Sequence, residues 1–248
     1  MDQLFFMSTK QALLQPVEVG GMKLSNRVWM APMTRSRANN EENAPFDIHV
    51  KYYEQRASSG LIITEGSQIS KKAVGYVNTP GIHSKAQVEG WKKVTEAVHA
   101  KGGHIFIQLW HVGRISHPDF HNGELPHAPS AINPNSKSYT PEGFKETVTP
   151  KEMTLEDIKQ TIQDFKNGAF SLAVQFQIPI APMSFYDCER KFPYFFAYNY
   201  FVGSPGKLRA NVHDFIETKG MTQEDIPELK NKVFNLLKND LEEVISQS

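Results

Sequence analysis

The chain has 248 residues, 40% of them hydrophobic and 22% charged, which is enough for one barrel-sized domain or two smaller ones and is not a disordered composition. Lys plus Arg balances Asp plus Glu at 27 each, so no overall field favours nucleic acid or an anionic membrane surface, and small-molecule chemistry is the expectation. The single cysteine, Cys188, excludes an internal disulfide framework and a thiolate metal cage and suits a reducing cytoplasm.

Met1 to Phe6 carries an acidic Asp2 and no apolar run of signal-peptide length, and the aromatic stretch Phe192 to Val202 is too short to span a bilayer. A cytoplasmic protein without a membrane-spanning segment is expected. Leu14 to Leu24 alternates around Gly20-Gly21 and predicts a small hairpin. Arg27 to Thr34 reads as a strand that must end near Pro32, because proline donates nothing to a ladder. A polar loop, Arg35 to Glu42, follows. Pro45 suits a first helical turn, and Phe46, Val50, Tyr53 and Ala57 recur at helical spacing until Ser58-Ser59-Gly60 stops them. Leu61 to Gly66 is a second buried strand ending in polar residues.

Ser84-Lys85-Ala86-Gln87 is a capping box, and Val88, Trp91, Val94 and Val98 form one apolar stripe that Gly102-Gly103 terminates. The run Ile105 to Trp110 is a third strand. Ile105, Ile107 and Leu109 share one face, and Phe106, Gln108 and Trp110 share the other, which in a parallel barrel points inward to the mouth. Ile115 to Lys151 is a long loop rich in Pro, Ser, Asn and His, of the kind that serves as a lid or binding segment. Thr154 opens a third helix with Ile158, Ile162, Phe165 and Ala169 on one face. Three strand–helix units in succession imply an α/β fold with a parallel sheet and right-handed crossovers, either open or closed into a barrel, with ligands at the strands' C-terminal edges.

Four motifs in this order carry a resemblance: Ala31-Pro32-Met33-Thr34-Arg35, Ile63-Thr64-Glu65-Gly66, Gln108-Leu109-Trp110-His111-Val112-Gly113-Arg114 and Pro129-Ser130-Ala131-Ile132. Over about residues 10–169 the chain resembles the Old Yellow Enzyme family, and its loop Tyr139 to Gly143 and Thr154-led helix are similar to that family's too. The resemblance implies a (β/α)8 TIM-type barrel, of which this chain would supply the first three strand–helix units. It also implies FMN and NAD(P)H as cofactors and the reduction of an enone or similar activated alkene. Carried over, Pro32 and Thr34 would meet the flavin ring, Gly66 would allow close backbone approach, Gln108 would hydrogen-bond the pyrimidine edge, and Trp110 would line the substrate face. A flavin needs such donors at its polar edge and glycine where backbone comes near.

The likeness breaks after Asp164 to Ala169. In place of the family's His-x-x-Asn or His-x-x-His pair and its proton-donating Tyr, the chain has Gln177-Ile178-Pro179-Ile180-Ala181-Pro182-Met183-Ser184-Phe185. The later arginine at the flavin and the glycine-rich phosphate loop find no match either, and FMN affinity in such a family rests heavily on the phosphate that loop holds. Lys166 to Ala173, Ile178 to Pro182 and Ile216 to Leu229 resemble instead the C-terminal part of lysophosphatidic acid acyltransferases. No His in the chain is followed five residues on by the Asp of that family's catalytic pair, and Pro141-Glu142-Gly143, followed by Phe144 where that family's phosphate loop has Thr, is read as coincidence.

A fusion accounts for both halves: residues 1–169 from the oxidoreductase and 170–248 from the other family, the tail continuing the same sheet. A helix running through Phe165, Ala169, Leu172 and Phe176 would bridge the join, and Ile180 to Phe185 would stand in for a fourth barrel strand. Phe192 to Val202 reads as a further strand. Pro227 to Ile245 is an amphipathic helix on Leu229, Val233, Leu236, Leu237, Leu241 and Val244. An open set of strands needs the tail or a second copy over its edges, which leaves a homo-oligomer as an expectation.

The remaining signals read as structural. His111, His117, His121 and His127 match no common ligand spacing. Arg114 is expected to pair with a carboxylate under the loop, with approach to the flavin as the other reading. Glu65 is expected to cap a backbone amide rather than catalyse. Cys188 has no partner histidine in its motif. Three function classes remain: an FMN oxidoreductase, active or crippled; a vestigial flavin-binding module; and an acyltransferase relic.

Overall fold

The computed structural model describes residues 11–19, 21–175, 180, 182–185 and 210–246. Cys188 and the Phe192 to Val202 stretch lie outside the described residues. The chain divides into two compact units, Met1–Glu18 with Lys23–Ala169 and Val19–Met22 with Phe170–Ser248.

Strands β1 (Val17–Val19) and β2 (Met22–Leu24) form the predicted hairpin as a two-stranded sheet. Strand β3 (Trp29–Met30) is shorter than the predicted Arg27 to Thr34, because only Trp29 and Met30 find partners, opposite Leu61 and Ile62. Beyond them Pro32 has no N–H to offer a ladder. Helix α1 (Asp47–Glu54) starts after Phe46. Its buried face is His49 and Tyr53, both 0% exposed, whereas Phe46 is exposed, so the stripe drawn from the sequence is displaced toward a histidine.

Strand β4 (Leu61–Gln68) is central and buried along nearly its whole length, as a run of Leu, Ile and Thr flanked on both sides should be. Helix α2 (Lys85–Ala100) begins at the predicted box: the Ser84 hydroxyl accepts from the Gln87 amide at 3.3 Å, and the Gln87 carboxamide accepts from the Ser84 amide at 3.1 Å. Trp91, Val94 and Val98 bury its inner stripe. Strand β5 (Ile105–Trp110) completes a parallel sheet of order β3-β4-β5. The β4–β5 register shifts between Ile63 and Gly66, where the Gln108 amide donates to the Thr64 hydroxyl at 3.0 Å instead of to a ladder carbonyl.

The long loop is more ordered than its composition suggested. It carries a parallel bridge of β6 (His127–Ala128) with β9 (Lys151–Glu152), enclosing an antiparallel hairpin of β7 (Lys137–Thr140) and β8 (Gly143–Glu146). Gly143 turns that hairpin at φ 104°.

Helix α3 (Leu155–Gln175) runs unbroken through the Asp164 to Ala169 stretch. Its start is a reciprocal box: the Thr154 amide and hydroxyl donate to the Asp157 carboxylate at 3.1 and 2.8 Å, and the Asp157 amide donates back to the hydroxyl. These hydrogen bonds lower the Asp157 pKa from 3.8 to about 2. The stabilisation is complete above the ordinary carboxylate range and is lost as pH falls from there through about 2. Thr154→Ala is expected to cost about 1 kcal/mol of unfolding free energy at neutral pH, measured by urea titration, and to flatten stability against pH in that acid window. The predicted inner stripe of α3 departs from expectation at Ile158 and Ile162, which are exposed.

In the second unit, β10 (Met183–Phe185) pairs antiparallel with β11 (Ala210–Val212), and Ile180 bridges Ile216 in the same sense. The reading of Ile180 to Phe185 as a fourth parallel strand is thereby corrected: its backbone groups are taken by an antiparallel partner from later in the chain. Helix α4 (Ile226–Ser246) follows a Thr222/Asp225 capping box and buries Ile226, Leu229 and Val233, close to the predicted helix. No helix of the described residues is long and apolar enough to cross a membrane.

Candidate functional site

Parallel strands share a direction, so the C-terminal ends of β3, β4 and β5 form one mouth. Pro32 and Thr34 follow β3 and are exposed. Gly66 lies opposite Gln108, and Gln68 opposite Trp110. Thr34 and Gln108 are both exposed, and among the described residues neither the Thr34 hydroxyl nor the Gln108 carboxamide has a protein hydrogen-bond partner.

Gly66 has a different neighbour from the one the sequence suggests. A Cβ built there would lie 2.5 Å from Trp110 Cε3 and 2.8 Å from Cδ2, so the glycine admits the indole across the strand. The Trp110 ring in turn rests against Tyr76, centroids 5.0 Å apart at 37°. Tyr76 went unnoticed in the sequence, where nothing in its motif links it to a strand many residues away.

Beneath the mouth is a buried charge. Glu65, with no exposed side-chain area, accepts Arg35 Nη2 at 2.6 Å and Nε at 3.1 Å on one carboxylate oxygen, and its other oxygen is 3.5 Å from the Arg35 amide. The Tyr53 hydroxyl donates to the same carboxylate at 3.2 Å and accepts the Glu65 amide at 2.9 Å. Burial and then the adjacent carboxylate raise the Tyr53 pKa. The amide contact predicted for Glu65 is therefore the weakest of its bonds, and an ion pair dominates. The sequence signal was available: a carboxylate within a buried strand requires a cation, and Arg35 leaves the neighbouring strand.

The four loop histidines have separate partners. His111 accepts the Gly113 amide, His117 meets Asp119 at 3.0 Å, His121 meets the Ser116 hydroxyl at 2.9 Å, and His127 lies 3.5 Å from Asp157. Burial lowers the pKa of His111, His121 and His127. Among the described residues no group of three or more His, Cys, Asp or Glu is arranged to hold a metal. Arg114 donates to the Ile132 carbonyl and the Ser130 hydroxyl, at 3.2 and 3.0 Å, in place of the expected carboxylate.

In the second unit Ser184, His213 and Asp240 converge, yet the serine oxygen at 3.2 Å and the carboxylate at 3.1 Å approach the same imidazole nitrogen, Nε2. A nucleophilic triad needs the two on opposite nitrogens. This set is a structural clasp.

The α/β fold brings the polar C-terminal ends of three parallel strands together, where open parallel sheets carry their small-molecule sites. Residues 12–175 match the model of the NADH:flavin oxidoreductase / NADH oxidase family, and the chain belongs to that family. It is 42% identical over 163 residues to the flavin oxidoreductase hxnT of Emericella nidulans, covering 64% of this chain and 42% of that protein. It is 41% identical over 160 residues to 12-oxophytodienoate reductase 1 of Oryza sativa subsp. japonica, covering 63% and 40%. Among solved structures, morphinone reductase in complex with tetrahydroNAD superposes with TM-score 0.60 at 44% identity, over 64% of this chain and 46% of that one. The old yellow enzyme homologue from Zymomonas mobilis superposes with TM-score 0.62 at 40% identity, over 66% and 46%. The chain thus spans less than half the length of these relatives. The family's cofactors are FMN and NAD(P)H.

Proposed function

We propose that this chain binds FMN at the mouth of β3, β4 and β5 and derives from an NAD(P)H-dependent reductase of activated alkenes. The reading is supported by two exposed polar side chains, Thr34 after β3 and Gln108 on β5, at the ends of strands that flank β4 and its Gly66–Trp110 contact on a family-matched sheet. Bound flavin would supply hydride transfer from NAD(P)H to an enone or similar alkene. Gln108 would offer its carboxamide to the polar edge of the ring, Thr34 its hydroxyl, and Pro32 an apolar surface, while Trp110 would border the substrate. The Glu65–Arg35–Tyr53 network holds the strand ends in position without meeting substrate.

Binding has more support than turnover. The sequence from Gln177 to Phe185 lacks the His pair and Tyr that the family resemblance requires after its fourth strand, which favours a second reading, a partial barrel that binds flavin without reducing alkenes. A boundary between 1–169 and 170–248 is supported by the end of the family match at residue 175 and by the division between Ala169 and Phe170, while acyltransferase-like descent of the tail rests on its sequence resemblance alone. Quenching of FMN fluorescence on titration with the full chain tests the reading. Gln108→Ala is expected to weaken FMN about tenfold, the loss of one or two hydrogen bonds, and an unchanged affinity would remove Gln108 from the site.

A further inference from the structure

We propose that a second site, formed by the segment after β3 and by α1, binds a phosphate monoester of a small organic molecule. A cleft of about 450 Å³ is lined by Arg35, Arg37, Ile48, Lys51, Tyr52 and Gln55. The cleft is shallow and open to solvent, and its volume exceeds that of a bare phosphate ion, which leaves room for an organic group lying on the surface.

Three of the six lining residues are cations and none is acidic, in a chain whose net charge is zero. Arg35 is held by Glu65. Neither Arg37 nor Lys51 has a carboxylate partner among the described residues, although Lys101 takes the nearby Glu54 at 3.2 Å. The guanidinium carbons of Arg35 and Arg56 both lie 3.6 Å from the Tyr52 ring centroid, so they must occupy opposite faces of it. This stack fixes one wall and adds a fourth cation nearby.

The elements explain the arrangement. Ile48, Lys51, Tyr52 and Gln55 recur at helical spacing on the side of α1 away from His49 and Tyr53, while Arg35 and Arg37 leave the end of β3 two residues apart. Two cations from different elements suit an anion with several acceptor oxygens, and a guanidinium fork matches phosphate geometry. Ile48, 45% exposed, gives the organic part an apolar contact that inorganic phosphate cannot use.

The test is isothermal titration calorimetry of the full chain at low salt with 5′-AMP, inorganic phosphate and adenosine, on wild type and on Arg37→Ala/Lys51→Ala. The account expects 5′-AMP to bind, phosphate to bind more weakly, adenosine to give no heat, and the double variant to lose about tenfold or more in 5′-AMP affinity. Both side chains are exposed, and an unchanged melting temperature would show that the variant folds. Absence of 5′-AMP heat, or equal affinity in the variant, overturns the site. Phosphate binding as tightly as 5′-AMP overturns the ester and leaves a free-phosphate site. FMN is itself a phosphate monoester, but Gln108→Ala leaves this cleft intact and the double variant leaves the mouth intact, so the two readings fail separately.

Discussion

Glu65→Ala is expected to destabilise the first unit by about 3–5 kcal/mol, the largest effect of any single substitution at the mouth. The change would strand Arg35, whose side chain is 14% exposed, and take the shared acceptor from the Tyr53 hydroxyl. A cation left unpaired with its side chain mostly removed from water costs more than the pair was worth relative to an apolar replacement, so removing one partner is the sensitive experiment. Trp29, Trp91 and Trp110 all lie in the Lys23–Ala169 unit, so tryptophan fluorescence during denaturant unfolding reports on this unit alone. A loss below about 1 kcal/mol would mean that Arg35 is solvated and that the network contributes no more than a surface pair.

Gly66→Ala should cost about 1–3 kcal/mol, because its new methyl would lie 2.5 Å from the Trp110 ring and one of them must move. The indole is the freer partner, so it is expected to swing from Gly66 and lose its contact with Tyr76. A shifted emission maximum would report this. Gly66→Ala/Trp110→Ala should cost less than the two single changes added together, since the second removes the ring that the first strikes. Strict additivity would show that the indole is not packed over this glycine.

Much of the sheet was legible because its signals are local. The Ser84/Gln87 box, the β4 apolar run and the Gly102-Gly103 stop each specify an element from within a few residues, and α2, β4 and β5 lie where they indicate. Motif order sufficed for the family, now shown over residues 12–175. The misjudgements share a cause, namely that pairing and burial depend on distant residues. Arg27 to Thr34 has strand composition, but only Trp29 and Met30 meet β4. Ile158 and Ile162 have core spacing, yet a stripe is buried only when something packs on it. His49 was passed over because periodicity counts apolar residues, whereas a neutral imidazole, its pKa lowered by burial, packs as one. Ile180 to Phe185 has strand composition without any mark of direction, and β11 gave it an antiparallel partner. At the mouth, the family resemblance offers Gly66 and Trp110 as neighbours of a ligand but carries no sign that they pack on each other.

The central claim is that the mouth built by β3, β4 and β5 retains flavin. The most direct measurement is the visible absorption spectrum of the purified full chain after saturation with FMN and gel filtration. A flavin band is expected to co-elute with the protein, to persist in Arg37→Ala/Lys51→Ala and to be diminished in Gln108→Ala. Absence of the band from wild type at saturating FMN would contradict the claim and leave Pro32, Thr34, Gly66, Gln108 and Trp110 as family sequence without a working site.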